Sequence, residues 1–136
     1  MMSECIFCKI IRGEIKSYKI YEDDKTVAFL DINPLNPGHT LVVPRKHVEN
    51  ILDADPETIA SVFATVQKVA KILIEKLGAK GVNIIHNAGR EANQEIMHFH
   101  VHVIPRYSKD DIGLVDWWRS AVKKLNLEEI YRKIVG

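Results

Sequence analysis

Hydrophobic positions between Pro56 and Leu77 recur every three or four residues. This spacing places apolar side chains on one face of an α-helix and polar side chains on the other. Asp55 is a suitable N-cap, Pro56 a suitable first residue and Gly78 a suitable end for such a helix. The pattern therefore predicts one long amphipathic helix, whose apolar positions are Ile59, Val62, Phe63, Val66, Val69, Ala70, Leu73 and Leu77.

Shorter segments on both sides of this helix are rich in β-branched residues and are bounded by turn-forming residues, which is typical of strands. The predicted strands are Lys19–Glu22, Thr26–Ile32, His39–Pro44, Gly81–Asn87 and His98–Ile104. Short helices are predicted at Cys8–Arg12 and after Leu114. Because the strands come in runs with one long helix inserted, the order favours an antiparallel α+β domain over alternating βαβ units.

Length and charge limit the class of protein. A chain of 136 residues fits one domain, residues 1–136. The balance of 19 basic and 18 acidic residues gives a net charge of +1, which creates no strong field for nucleic acid or anionic membranes. No apolar run exceeds four residues, whereas a membrane span needs about 20. We therefore expect a cytoplasmic protein with neither nucleic-acid nor membrane partners.

The two cysteines, Cys5 and Cys8, are three positions apart. This spacing is found in half of a zinc site and in redox-active dithiol pairs. A redox pair is expected to open a helix after a strand, and no strand is predicted before Cys5. A zinc site would need two further ligands from elsewhere in the chain, and histidines are the first candidates.

Three histidines alternate with apolar residues in His98-Phe99-His100-Val101-His102. In a strand these three imidazoles would share one face, while the apolar side chains would face the core. The Cβ atoms of His98 and His102 would stand about 13 Å apart, which is too far for all three to bind one metal ion. At least one imidazole therefore has another task. Its usual pKa of about 6.5 suits a nucleophile or a proton donor at neutral pH.

The segment His98–Ile104 resembles the signature of the histidine triad (HIT) family, in which three histidines alternate with apolar residues. Further blocks resemble the same family in the same order along residues 4–106, and the N-terminal block resembles the Hint branch. These blocks are Cys5–Ile11, Asn33–Pro44, Asn87–Gly89 and Gln94–Ile96. The resemblance implies a HIT-like fold with an antiparallel sheet of about five strands, one long helix and short terminal helices. Residues 107–136 lie outside the resemblance and are expected to be variable.

Members of this family cleave nucleotide conjugates at the α-phosphate, so the resemblance implies a nucleotidyl hydrolase or transferase. The expected reaction is hydrolysis of nucleoside phosphoramidates through a covalent nucleotidyl-histidine intermediate. By the same resemblance His100 would be the nucleophile, His102 would donate to the phosphate or leaving group, and His39 would complete the polar wall. The alternatives are a dinucleoside polyphosphate hydrolase, a nucleotide-binding regulatory module without useful turnover, and a zinc-storage or purely structural domain.

The resemblance also implies a site for a purine nucleotide. Asp31 would hold the ribose hydroxyls, while Asn87 and Gln94 would donate to phosphate oxygens. The base would lie in an apolar slot, for which the candidates are Ile6, Phe7, Ile10, Phe29 and Ile32. These apolar residues are equally well explained as core.

Further implications of the resemblance are a structural zinc ion and a homodimer. The zinc ligands would be Cys5, Cys8, His47 and His98. The dimer would form through the long helix and a neighbouring strand. Two positions depart from the family pattern: Asn93 stands where a glycine is frequent, and Glu95 stands where some relatives have a serine. Asparagine tolerates a positive φ better than most residues, so we expect the turn at Asn93 to be kept. We expect His86 to be a structural histidine.

Overall fold

The structure is a computed structural model, and it describes residues 5–136. Five strands form one sheet in the order β1-β2-β3-β5-β4, and every neighbouring pair is antiparallel. This architecture confirms the predicted antiparallel α+β domain with five strands. The strands are β1 (Lys19–Glu22), β2 (Thr26–Leu30), β3 (Thr40–Pro44), β4 (Gly81–Ile85) and β5 (Val101–Arg106).

Within residues 5–136 four α-helices and a short 3-10 helix (Arg90–Ala92) accompany the sheet, and the α-helices are α1 (Ile6–Ile11), α2 (Pro56–Leu77), α3 (Leu114–Ser120) and α4 (Leu127–Val135). The side chain of Asp55 accepts a hydrogen bond from the backbone N–H of Thr58 and caps α2. Gly78 ends α2 in the left-handed conformation with φ 72°. Both bounds of α2 therefore agree with the sequence prediction. In the part of the chain that the structure describes, no helix has the length and apolarity needed to cross a membrane.

The two faces of the sheet carry separate hydrophobic clusters. On one face α2 packs against side chains of β2, β3 and β5, and the centre of this cluster contains Val62, Val66, Val69, Phe99 and Val101. The second cluster involves α1 and consists of Phe7, Ile10, Val27, Phe29, Leu41 and Val43. The short helix α1 is thereby held against the sheet. Its N-cap is Cys5, whose sulfur accepts from the backbone N–H of Cys8, so α1 begins before the predicted Cys8.

The buried face of α2 differs from the predicted one at several positions. Thr65 is 1% exposed, and its hydroxyl lies 2.6 Å from that of Thr26 in β2. Phe63 and Leu77 were both predicted to be core positions, yet they are 37% and 49% exposed. The sheet thus covers only part of the apolar stripe, and it also covers the polar Thr65, whose hydroxyl has a partner in the core. An exposed apolar strip therefore remains on α2.

Four predicted strands are shorter in the structure, among them the one predicted to begin at His39, which begins at Thr40, and the differences matter for the site. The predicted strand at His98 begins only at Val101, because the backbone N–H of Phe99 donates to the carbonyl of Val48, 2.7 Å away, instead of to a neighbouring strand. The strand predicted to end at Ile32 ends at Leu30, and the one predicted to end at Asn87 ends at Ile85. Several candidate site residues therefore lie just outside the strands, where the backbone leaves the sheet.

The C-terminal segment forms the two short helices that the sequence predicts, but it adds little to the core. Every residue from 115 to 136 is exposed. Exposed apolar side chains on this segment include Val115, Trp117, Trp118, Val122, Leu125, Leu127, Ile130, Tyr131 and Ile134.

Candidate active site

Five of the six histidines lie in two adjoining groups. In the first group, the ring centroid of His102 lies 5.2 Å from those of both His39 and His100. The second group is formed by His47 and His98, whose ring centroids are 4.8 Å apart. The groups are joined because Nδ1 of His100 lies 2.7 Å from the carbonyl oxygen of His98. The triad is thus divided between two sites.

The hydrogen bond to His98 determines which nitrogen of His100 can react. A carbonyl oxygen only accepts, so Nδ1 of His100 carries the hydrogen and Nε2 of the neutral ring has a lone pair. His100 is 7% exposed, and burial lowers its pKa below the usual value. The ring is therefore neutral at pH 7. A neutral imidazole with an unprotonated Nε2 is a competent nucleophile.

A chain of hydrogen bonds gives His39 and His102 complementary tautomers. The backbone N–H of Leu35 donates to Nδ1 of His39 over 3.0 Å, so the hydrogen of this neutral ring is on Nε2. That nitrogen lies 3.0 Å from Nδ1 of His102, which must accept. The hydrogen of His102 is then on its own Nε2. The loop before β3 thus leaves a donor on Nε2 of His102, whose ring neighbours that of His100.

Asp31 lies one residue beyond β2 and faces the same pair of histidines. One carboxylate oxygen accepts from the backbone N–H of Asn33 over 2.9 Å, and the other lies 3.5 Å from Nε2 of His39. Burial lowers the pKa values of His39 and His102, although the charge of Asp31 acts in the opposite direction on both. The carboxylate is 16% exposed. It can therefore also accept hydrogen bonds from hydroxyl groups of a ligand.

The second group of histidines forms a cluster with the two cysteines. Nδ1 of His98 lies 3.4 Å from Sγ of Cys5, 3.6 Å from Sγ of Cys8 and 3.1 Å from Nδ1 of His47. Nδ1 of His47 lies 3.3 Å from Sγ of Cys8. Ligand atoms around a tetrahedral zinc ion are separated by roughly 3.3 to 3.8 Å, given its bond lengths to nitrogen and sulfur. The structure therefore brings together the four predicted zinc ligands at suitable distances.

The surroundings of this cluster also suit a zinc ion. Nε2 of His98 lies 2.9 Å from the carbonyl oxygen of Pro44, so its hydrogen points away from the cluster and Nδ1 has a lone pair. Burial raises the pKa of Cys8 to about 11, and a bound cation would instead favour the thiolate. Two sulfur and two nitrogen ligands are typical of closed structural zinc sites. The residues present fit this ion.

Asp31, His39 and His102 also place three possible ligand atoms within 4.8 Å of one another. Their hydrogen bonds disfavour a second metal ion. A metal ion would need a lone pair on Nε2 of His39, whereas the bond from Leu35 to Nδ1 requires a hydrogen there. The three residues are therefore better described as a hydrogen-bonded chain that orients His102.

The residues predicted for the base slot have different surroundings. Phe7, Ile10 and Phe29 are 3%, 7% and 3% exposed, and they belong to the hydrophobic cluster around α1. The ring of Phe7 meets that of His100 edge to face, with centroids 5.1 Å apart. These three residues can form only the floor of a base slot. Ile32 is 83% exposed and lies at the surface.

The side chain of Gln94, which the resemblance predicts to donate to phosphate oxygens, is surrounded by hydrogen-bond partners from the chain itself. Its two amide hydrogens point to the carbonyl oxygens of Glu49 and Ile96, over 2.7 and 3.0 Å. Its carbonyl oxygen accepts from the side chain of Asn50 and the backbone N–H of Gly89, over 3.0 and 2.8 Å. The side chain is 3% exposed. Gln94 therefore holds two loops together and has no donor left for a ligand.

Comparison with family models finds a HIT domain at residues 12–109. The chain belongs to the HIT family. Over 132 residues this HIT protein is 47% identical to an uncharacterized HIT-like protein of Methanocaldococcus jannaschii, which covers 97% of the chain and 99% of that relative. Over 128 residues it is 35% identical to the adenylylsulfatase HINT3 of Arabidopsis thaliana, covering 94% of the chain and 65% of that relative.

Solved structures of HIT proteins share the fold. A Zn-bound histidine triad family protein of Mycobacterium smegmatis superimposes with a TM-score of 0.78 at 40% identity, covering 82% of this chain and 81% of that one. Together with the family match, these relatives support a nucleotide-binding hydrolase at the level of the family.

The turn before the triad places Asn93 in a conformation that glycine adopts most readily. Asn93 has φ 70°, and it is the one non-glycine residue with positive φ among residues 5–136. Asparagine adopts this conformation more readily than most other residues. Asn87 lies two residues beyond β4 and is half-buried, close in the chain to the strand end that carries His86.

Three contributors to the site were not predicted from the sequence. The backbone N–H of Leu35 sets the tautomer of His39, and the side chain of Asn50 is bonded to Gln94. His86 contacts the backbone of His100 instead of serving only as a structural residue on a strand. The first contribution comes from a backbone group, and the others join residues distant in the chain, so no local signal in the sequence indicates them.

Proposed function

We propose that this HIT protein hydrolyses nucleoside phosphoramidates or related nucleotide conjugates at the α-phosphate, with a nucleotidyl-histidine intermediate on His100. The observation that carries this proposal is the pair of complementary tautomers on two neighbouring rings, whose centroids are 5.2 Å apart: the hydrogen bonds leave Nε2 of His100 with a lone pair and Nε2 of His102 with a hydrogen. One group can attack phosphorus while the other donates to a phosphate oxygen or the leaving group. Neutral imidazoles suit both tasks at neutral pH.

In the first step Nε2 of His100 attacks the α-phosphorus, and the bond from phosphorus to the leaving group breaks. The leaving group departs with the electron pair and takes a proton from water. The ring of His100 becomes cationic, and the carbonyl oxygen of His98, 2.7 Å from Nδ1, stabilises this charge. The Nε2–H of His102 donates to a phosphate oxygen, where negative charge accumulates in the transition state.

In the second step water attacks the same phosphorus, and the bond between phosphorus and Nε2 of His100 breaks. Its electron pair returns to Nε2, one proton of the water is released to solvent, and a nucleoside monophosphate leaves. Dividing one difficult displacement into two easier ones is the advantage of a covalent intermediate.

The purine nucleotide would be held by groups around these two histidines. The partly exposed carboxylate of Asp31 suits the two ribose hydroxyls, and Asn87 supplies an amide for a phosphate oxygen. The base would rest on the apolar floor that includes Phe7, with Ile6 and Ile32 at its exposed rim. This arrangement favours an enzyme over a zinc-storage domain, which would need none of these polar groups.

The leaving group is the part of the substrate that the triad constrains least. An amine is our first choice, and a nucleoside polyphosphate is the alternative. Since a relative with 35% identity is named adenylylsulfatase, adenylyl sulfate also belongs among the candidates. A regulatory module that binds nucleotides without useful turnover remains the alternative from another class.

A structural zinc ion bound by Cys5, Cys8, His47 and His98 is also part of the proposal. The donor set and its geometry support it, as does the Zn-bound relative. The ion would fasten α1 to His98, whose carbonyl oxygen accepts from the nucleophile. It would thereby stabilise the site without taking part in the reaction. Cys5 and Cys8 form no disulfide with each other, which suits a reducing compartment and supports a cytoplasmic location.

We further propose that residues 1–136 form one domain that pairs as a homodimer. β4 is an edge strand, paired with β5 alone among residues 5–136, and Ile84 on it is 47% exposed. Unpaired strand edges and exposed apolar patches are usually covered by a partner. On α2, Phe63 and Leu77 are further exposed apolar side chains. A sedimentation mass near 15.5 kDa at micromolar concentration would contradict the dimer.

The proposed function is tested with a panel of substrates and one matched variant. The panel contains adenosine and guanosine phosphoramidates, adenylyl sulfate and dinucleoside polyphosphates, and the release of nucleoside monophosphate is measured. We expect the phosphoramidates to be cleaved fastest by the parent protein and nothing to be cleaved above background by His100→Ala. Preference for dinucleoside polyphosphates would favour the alternative substrate class. Tight nucleotide binding without any turnover would favour the regulatory module.

A further inference from the structure

His86 has no part in the reaction described above, yet it contacts the backbone of the nucleophile. It directly follows β4, and its Nδ1 lies 3.0 Å from the carbonyl oxygen of His100. Its other nitrogen, Nε2, lies 3.1 Å from the backbone nitrogen of Ile51. The imidazole therefore bridges the loop before α2 and the residue that attacks phosphorus.

These two contacts leave a single neutral tautomer for His86. The backbone N–H of Ile51 can only donate, so Nε2 of His86 must accept. The carbonyl oxygen of His100 can only accept, so Nδ1 must carry the hydrogen. The plane of the ring is fixed as well, because it meets Phe99 edge to face with centroids 4.8 Å apart. Phe99 is completely buried, which gives His86 a rigid support.

The backbone of His100 depends on such a contact because it lies outside the sheet. The pairing of β5 with β3 and β4 begins at Val101 and His102. The carbonyl oxygen of His100 is therefore held by a side chain where a neighbouring strand would otherwise hold it. Orienting this peptide group also orients the Cα–Cβ bond of His100, and with it the direction of Nε2.

We propose that His86 is a positioning residue, whose Nδ1–H holds the backbone of His100 so that Nε2 points at the α-phosphorus. Rates of displacement reactions fall steeply when the attacking atom is misplaced, by up to about a hundredfold for 1 Å. Nucleotide binding through Asp31 and the apolar floor does not involve this bond. The effect of losing it should therefore fall on kcat and leave KM almost unchanged. The kinetic part of this inference rests on the proposed function.

Two variants separate the bond to His100 from the bond to Ile51. In His86→Asn the amide nitrogen takes roughly the position of Nδ1, so the donor to His100 is kept and the acceptor for Ile51 is lost. In His86→Gln the amide reaches the position of Nε2, so the acceptor is kept and the donor is lost. His86→Phe retains the packing against Phe99 and loses both bonds. Thermal unfolding of each variant shows whether it is folded at the assay temperature.

We expect kcat to fall about tenfold or more in His86→Gln and His86→Phe, and less than about threefold in His86→Asn, with KM within about twofold throughout. Equal losses in His86→Asn and His86→Gln would overturn the proposal, as would parent kcat in His86→Phe.

A second measurement depends on neither activity nor variants. Long-range ¹H–¹⁵N NMR spectra of the parent protein should show His86 with its hydrogen on Nδ1, and a hydrogen on Nε2 would overturn the proposal. If the parent cleaves no member of the substrate panel, the proposed function fails, while this spectrum still decides how His86 contacts His100.

Discussion

Gln94→Ala distinguishes a buried structural side chain from a phosphate donor. The substitution removes four hydrogen bonds, made to Glu49, Asn50, Gly89 and Ile96 over 2.7 to 3.0 Å. Each such bond contributes about 1 kcal/mol net to stability, and water entering the vacated space recovers part of the loss. We therefore expect the free energy of unfolding to fall by about 2 to 4 kcal/mol. This is a large fraction of the stability of a small domain.

The loss is measured by urea denaturation followed by circular dichroism, with Glu95→Ala as the matched control. Glu95 is the exposed neighbour in the chain, so its substitution should change the free energy of unfolding by less than about 0.5 kcal/mol. Gln94→Glu should also destabilise the protein, because it sets an oxygen against the carbonyl oxygens of Glu49 and Ile96. Parent stability in Gln94→Ala together with a raised KM for the nucleotide would refute this reasoning and restore the predicted phosphate contact.

Three further predictions concern stability. Protein purified without chelators should contain about one zinc ion per chain, and removing the zinc should lower the unfolding temperature. Protein without zinc, together with a Cys8→Ser variant as stable as the parent, would contradict this prediction. Gly38→Ala should lower the free energy of unfolding, measured by urea denaturation, by about 1 to 3 kcal/mol, because φ of Gly38 is +95° and the new Cβ would lie 2.6 Å from Leu77. The control Gly113→Ala has open space around the new Cβ and should leave the free energy of unfolding unchanged. Burial lowers the pKa of His98 to about 4, so between pH 6.5 and 4 the unfolded metal-free chain binds a proton that the folded chain does not. The free energy of unfolding of the metal-free protein should therefore fall by about 3 kcal/mol as the pH decreases through this range. A urea midpoint that stays constant from pH 7 to 4.5 would contradict this prediction.

The sequence pattern predicted those elements that depend on residues close to one another in the chain. Both ends of α2 follow from the helical period and from the capping residues Asp55 and Gly78, which act within one turn. The start of β5 could not be predicted in this way. His98 and His100 alternate with apolar residues as a strand would, but the backbone of Phe99 bonds to Val48, which is 51 positions away in the chain. Contacts over such separations leave no periodic pattern.

The candidate site, like the fold, could be predicted from the sequence only in part. Resemblance to a family indicated the four residues of the Cys/His cluster and the histidines around His100, and the structure brings both groups together. The prediction for Gln94 rested on residue type and spacing, which do not show which partners a buried amide already has. The tautomers of His39 and His102 depend on a backbone N–H at Leu35, which any residue except proline would supply. Only the folded chain shows which hydrogen bonds decide the chemistry.

The central claim is that Nε2 of His100 forms a covalent bond to phosphorus. The most direct measurement is rapid quenching of the parent protein during turnover of an adenosine phosphoramidate labelled in the nucleotide, followed by mass spectrometry of peptides kept at alkaline pH. We predict a labelled adenylyl group linked to His100, which forms and decays at rates consistent with kcat. Label on another residue, or none on any histidine while turnover proceeds, would contradict the account.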